Sequence, residues 1–295
     1  MKIIGNERIQ EAIKKSVQNH QFFHAYLFSG PANLGKKTLA LEFANLLKCS
    51  KNDIHILEKN TAIKIDEVRD LQHKLLLSSQ SEFKIMIIDD AANITNQAAS
   101  ALLKTLEEPS RNTVLILVTS NKSKVLPTII SRCINYEFNL VSKEKINLLL
   151  NNHNLSEQEK NQILQFAQGR PGIALALANN KNGILARQKF ISSFSNLLNS
   201  DINSKFIFVE KIYKESKENF NKIINLWTSF FRDCLLLKSN NPNLILNQSN
   251  LNELKQFSEN NEKIKIINLI KYLTEINNAP NINEKLALEN FFLKI

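Results

Sequence analysis

"AYLFSGPANLGKKTLALEFANLLKC", residues 25–49, is the stretch on which the reading of the fold turns. It opens as a short apolar run ending at Gly30, the pattern of a buried strand. It closes with Leu39, Phe43, Leu46 and Leu47 at helical spacing. Between them lies a glycine-bounded loop close to G-x-x-x-x-G-K-[ST]. In that pattern backbone N–H groups at a helix N-terminus face an anion, and the lysine reaches the β and γ phosphates. Gly30, Gly35 and Lys36 fit a phosphate loop, but Lys37 stands where a hydroxyl should hold Mg²⁺. An ammonium has no lone pair for a metal. Thr38 comes one residue late, a step of about 100° around the helix, and is expected to point elsewhere. Backbone amides and two lysines suffice to hold a phosphate, but hydrolysis would suffer.

Strands and helices alternate outward from this loop. Residues 53–57, "DIHIL", suit a strand, and "IDEVRDLQHKLLLSS" reads as a helix with Asp66 near its start. "KIMIIDD" (84–90) is a buried strand running into two acids. "NQAASALLKTLEEP" is a helix stopped by Pro109, and "TVLILVTSN" (113–121) is a further buried strand. Such alternation predicts a parallel sheet covered by helices on both faces. Ligands in such sheets sit at the carboxyl ends of the strands. The glycine loop, the acid pair and Thr119-Ser120-Asn121 all fall there.

Asp89 has the place of an acid that holds Mg²⁺ through water. Asp90 follows where a glutamate would polarise the attacking water. An aspartate there is one methylene short, and small misplacements cost catalysis heavily. Arg132, in "LPTIISRC" (126–133), is either a surface cation or a finger reaching a neighbouring subunit's γ-phosphate.

Beyond about residue 140 the pattern is helical. "SKEKINLLLNNH" and "SEQEKNQILQFAQG" are helices, the second opening with a capping box at Ser156 and Glu159. Gly169, Pro171 and Gly172 interrupt it before "IALALANN" restarts a helix. Pro242 and Pro280 punctuate the remainder. The domain reading is an α/β domain at 1–140, a small helical domain at 141–182 and an all-α domain at 183–295.

The 295 residues carry a net charge of +10 and a pI near 9.4, which suits contact with nucleic acid or simply a lysine-rich solvated surface. Cys49, Cys133 and Cys234 lie far apart without a C-x-x-C pair, so neither a disulfide framework nor a zinc module is expected. The N-terminal residues are too polar for a signal-peptide core, and no run reaches the length of a membrane span. A cytoplasmic protein is expected.

"HAYLFSGPANLGKKTLALEFANLLKC", "FKIMIIDDAANITNQAASALLKTLEEPSRNTVLILVTSN", "LPTIISRC" and "GRPGIALAL" together resemble bacterial clamp-loader AAA+ subunits. The resemblance is strong over residues 3–178 and rests farther on only on phrases such as "FFRDCLLLK". It implies an AAA+ (P-loop NTPase-like) domain, a helical lid and a C-terminal helical collar. It implies nucleotide contacts from Gly30, Pro31, Gly35, Lys36, Lys37, Thr38, Asp89, Asp90 and Thr119. It implies that Arg132 acts in trans on ATP bound by an adjacent motor subunit. Motor subunits of the gamma/tau type carry a G-K-[ST] loop, an Asp-Glu pair and a lid arginine, and here those positions read Lys37, Asp90 and Gly172. Arg170, two positions earlier, does not replace the lid arginine. All three departures point to the static, delta prime type. Its implied partners are gamma/tau and delta subunits, the sliding clamp and primed DNA in a hetero-oligomeric ring. ATP or ADP would be held without efficient hydrolysis, with no zinc. An ATP-hydrolysing motor subunit and a solitary DNA-binding AAA+ protein, such as a helicase loader, are the alternatives.

Overall fold

A computed structural model describes residues 3–58, 61–77, 79–110, 112–215, 220–279 and 282–295. The chain divides into two compact units, Met1–Asn179 and Asn180–Ile295.

The first unit is built on β1 (Ala25–Ser29), β2 (Ile54–Glu58), β3 (Lys84–Asp89), β4 (Thr113–Thr119) and β5 (Ile134–Glu137). They form one parallel sheet in the order β2-β3-β4-β1-β5. β1 and β4 are buried along their whole lengths, so they read as unbroken apolar runs. Side chains of alternate residues go to opposite faces. Tyr26, Phe28, Ile85, Ile87, Val114 and Ile116 meet α1 (Glu7–Gln18) and α2 (Lys36–Leu46) through Ile13, Leu39 and Phe43. Leu27, Met86, Ile88, Leu115 and Leu117 meet α3 (Ile65–Leu76) and α4 (Asn96–Glu107) through Val68, Leu71, Ala98 and Leu102. Each large side chain buried this way contributes about 1.5–3 kcal/mol.

Two details of the strands differ from the sequence reading. Asp53 precedes β2 in a 3-10 turn instead of starting the strand. β5 is a strand with no clear mark in the sequence, because "INYE" alternates half-buried and exposed positions on a sheet edge and carries only a weak apolar signal. α5 (Pro127–Ile130) is the short turn of helix leading into it.

α6 (Lys143–Leu150), α7 (Glu157–Ala167) and α8 (Pro171–Asn179) complete this unit. The capping box forms as expected: the Ser156 amide donates to Glu159 (2.7 Å) and the Glu159 amide to Ser156 Oγ (3.2 Å). α8 starts at Pro171, before the expected restart, since proline is well suited to a first helical position.

The second unit contains α9 (Lys181–Leu198), α10 (Ile202–Glu215), α11 (Phe220–Lys238), α12 (Leu251–Asn260), α13 (Lys263–Asn278) and α14 (Glu284–Leu293). Its core centres on Trp227, stacked on Phe194 (centroids 4.6 Å apart) and on Phe291 (5.0 Å). Buried Asp233 accepts bonds from the Leu246 and Asn247 amides (3.0 and 2.8 Å), fastening that segment to α11. Pro242 lies in a 3-10 turn on the way there, whereas Pro280 lies outside the described residues.

Asp53 anchors the start of β2. It accepts from Ser50 Oγ (2.8 Å) and from the amides of Gln80 (3.1 Å) and Ser81 (2.7 Å). Burial alone would raise its carboxyl pKa. The hydrogen bonds from Ser81, Ser50 and Gln80 outweigh that and hold it well below the usual range. A depressed folded pKa gives stability that is present above the unfolded value of about 4 and is lost as pH falls through the folded one. Asp53→Ala should therefore lower the urea midpoint of unfolding at pH 7. The difference from wild type should shrink steadily below about pH 4, and a gap unchanged at low pH would contradict this account.

Candidate nucleotide-phosphate site

At the carboxyl ends of β1, β3 and β4 lies a cleft of about 750 Å³. The loop and first turn of α2 border it with Gly35, Lys36, Lys37 and Thr38. β2 and β3 add Glu58, Asp89 and Asp90, β4 adds Thr119, and α8 adds Gly172.

The loop needs glycine at its first position for a steric reason. Gly30 has φ 129°, and a Cβ there would lie 2.3 Å from the Phe138 carbonyl oxygen. The tight turn starts α2 at Lys36, with Gly35 before it in the left-handed region. Lys36 is only 6% exposed, and its ammonium donates to the carbonyls of Gly30 and Pro31, both at 2.6 Å. Burial pushes its pKa down to about 8, against the opposing charges of Asp89 and Asp90.

Lys37 takes a different path. Its ammonium pairs with Glu58 and lies 3.5 Å from Asp89 Oδ2. The two acids are register partners across β2 and β3, so the parallel pairing sets them side by side. Sequence reasoning expected two lysines free for phosphate. One of them is committed to carboxylates. It also missed Glu58, whose only sequence signal is its place at the carboxyl end of a strand. Thr38 borders the cleft despite its helical offset, together with Lys36 and Lys37 of the same turn; Lys37 is the residue that meets the acids.

Asp90 adopts a left-handed backbone (φ 63°) and accepts from Asn93 Nδ2 at 2.9 Å. Burial, reinforced by the charge of Asp89, raises its pKa. Thr119 is fully buried; its hydroxyl bonds both the amide and the carbonyl of Asn121 at 3.1 Å and shapes the turn. Gly172 lets α8 approach the loop: its amide donates to the Asn33 carbonyl (2.9 Å), and a Cβ would fall 3.0 Å from that oxygen. An arginine at this position would force the two apart.

Arg132 does not join the cleft. It follows α5, where its guanidinium pairs with Glu107 (2.7 Å) and donates to the Thr128 carbonyl (3.0 Å), with 37% of the side chain exposed. The neighbouring Cys133 packs into the sheet's second core, and burial pushes its thiol up to about 12. Among the described residues no group of three or more His, Cys, Asp or Glu is placed to hold a metal. No described helix is long and apolar enough to cross a membrane.

The model of a family described as "DNA polymerase III, delta subunit" matches residues 5–55 and 50–142. The DNA polymerase III subunit gamma of Buchnera aphidicola (subspecies Schizaphis graminum) is 28% identical over 99% of this chain and 94% of its own length. The DNA polymerase III subunit delta' of Pseudomonas aeruginosa is 37% identical, but over 39% of this chain and 42% of its own length. Gamma and tau subunits of other bacteria are likewise matched over less than half of their length. Among solved structures, a DNA polymerase III gamma subunit-related protein of Thermotoga maritima superposes with a TM-score of 0.55. It is 21% identical and covers 96% of this chain and 97% of its own.

The burial of Lys36 makes a direct prediction. In ¹³C-lysine NMR one resonance should titrate near pH 8, well below the ordinary lysine value, and should vanish in Lys36→Met. A spectrum in which every lysine titrates above pH 10 would refute the buried ammonium.

Proposed function

This chain belongs to the family of DNA polymerase III clamp-loader subunits, and we propose that within it the chain fills the static, delta prime position. The observation that carries this reading is Lys37. It takes the place of the metal-binding hydroxyl and is tied to Glu58 and Asp89. Asp90 in place of glutamate and Gly172 in place of the lid arginine act in the same direction. The chain would hold ATP or ADP through Gly30, Pro31, Gly35, Lys36 and Thr38 without hydrolysing it efficiently.

Its chemical contribution would be made in trans. Arg132 lies outside its own cleft, part-exposed, with its guanidinium held by one carboxylate and one carbonyl. A neighbour's γ-phosphate, carrying more charge, would draw it from Glu107 and gain charge stabilisation as the phosphoryl group transfers. In this reading residues 1–140 form the AAA+ domain, 141–182 the lid and 183–295 the collar. The partners are gamma/tau and delta subunits, the sliding clamp and primed DNA, all in the cytoplasm.

A second reading, an ATP-hydrolysing motor, is favoured by one observation: the relative matched over 99% of this chain is named gamma. Two measurements separate the readings. The purified chain should turn over Mg-ATP no faster than its Lys36→Ala variant, whereas Lys36-dependent turnover would make it a motor. In the reconstituted complex, Arg132→Ala should lower clamp-stimulated ATPase by about 100-fold or more while leaving assembly intact. An unchanged rate would remove Arg132 from the mechanism.

A further inference from the structure

The P-loop fold implies a Mg²⁺ ion beside the β and γ phosphates, and the residues of this cleft do not fit one. Mg²⁺ demands near-octahedral oxygen ligands at about 2.0–2.1 Å. The hydroxyl that supplies one of them is replaced by Lys37, and the ammonium of that same residue pairs with Glu58 and sits 3.5 Å from Asp89 Oδ2. We propose that the Lys37 ammonium is this site's resident cation. It holds the carboxyl ends of β2 and β3 together in place of the metal, and keeps Mg²⁺ out of that position by like charge.

Three observations converge on this. The β2–β3 register sets Glu58 beside Asp89, so two carboxylates at adjacent strand ends need a shared cation. Lys37 lies in the first turn of α2, directly after the left-handed Gly35 and the first helical residue Lys36. The ammonium therefore reaches the acids from a rigid element and not from a mobile loop. Lys36, one residue earlier, is turned onto the Gly30 and Pro31 carbonyls, so the cation between the acids is Lys37 alone of this pair. Glu58 thus acquires a role that the phosphate-loop pattern does not assign: with Asp89 it is the anionic seat for an internal cation.

The inference rests on the reading of the cleft as a nucleotide-type site. Its test uses thermal unfolding of the full chain, with ADP as the probe in EDTA and in Mg²⁺. The wild type should show the same midpoint in both. Lys37→Thr restores the hydroxyl and removes the ammonium. Its midpoint should fall in EDTA, where Glu58 and Asp89 face each other unpaired, and rise with ADP only when Mg²⁺ is present. That corresponds to an ADP affinity at least about tenfold tighter in Mg²⁺ than in EDTA. If Lys37→Thr does not fold, Lys37→Met, which keeps the stem and drops the charge, should give a weaker response of the same kind.

A wild-type midpoint raised by Mg-ADP over EDTA-ADP would overturn the proposal. So would a folded variant indifferent to Mg-ADP. The static-subunit reading fails separately. Mg²⁺-dependent binding by the wild type without turnover breaks only this inference, whereas binding accompanied by Lys36-dependent hydrolysis breaks both.

Discussion

Everything in the first unit depends on a parallel sheet buried on both faces. Parallel strands require crossovers, the crossovers are helices, and the helices cover both faces. The carboxyl ends of the strands are then the edge at which ligands bind. β1 delivers the glycine loop to that edge, β2 and β3 deliver acids, and β4 delivers Thr119. The contact between the Gly30 backbone and the Phe138 carbonyl leaves no room for a side chain, and Gly35, in the left-handed region, directly precedes the start of α2 at Lys36. From that start the placing of Lys36 and Lys37 follows.

The two adjacent lysines show how one turn of helix divides two identical charges between different tasks. Lys36 is buried, its ammonium satisfied by carbonyl dipoles and its pKa lowered by loss of water. Lys37 is part-exposed and satisfied by carboxylates. The first arrangement holds the ammonium against the loop's own backbone. The second gives this chain its individuality, because a fixed ammonium supplies positive charge but neither a Lewis acid nor a vacant coordination position.

The second unit is held by other means. A stack of Phe194, Trp227 and Phe291 fills its centre, and the buried Asp233 fastens the segment around Asn247. In the first unit Asp53 does similar work, accepting from the amides of Gln80 and Ser81. In both units, then, a buried aspartate takes up backbone donors that the regular elements leave over.

The sequence by itself determined the class of fold, the strands at 25–30, 84–90 and 113–121, the glycine loop, and the altered metal position at Lys37. Those signals are local: apolar runs, turn glycines and one substituted hydroxyl. The capping box at Ser156 and Glu159 was legible for the same reason, as it spans a single helical turn. Only the tertiary structure decided what Lys37 does, because its partners Glu58 and Asp89 come from two strands whose register no single segment encodes. It likewise decided that β5 closes the sheet, that Gly172 must be small against Asn33, and that Arg132 rests on Glu107 outside the cleft. Each of these is a contact between residues far apart in the chain, set by how elements pack and not by what any one of them spells.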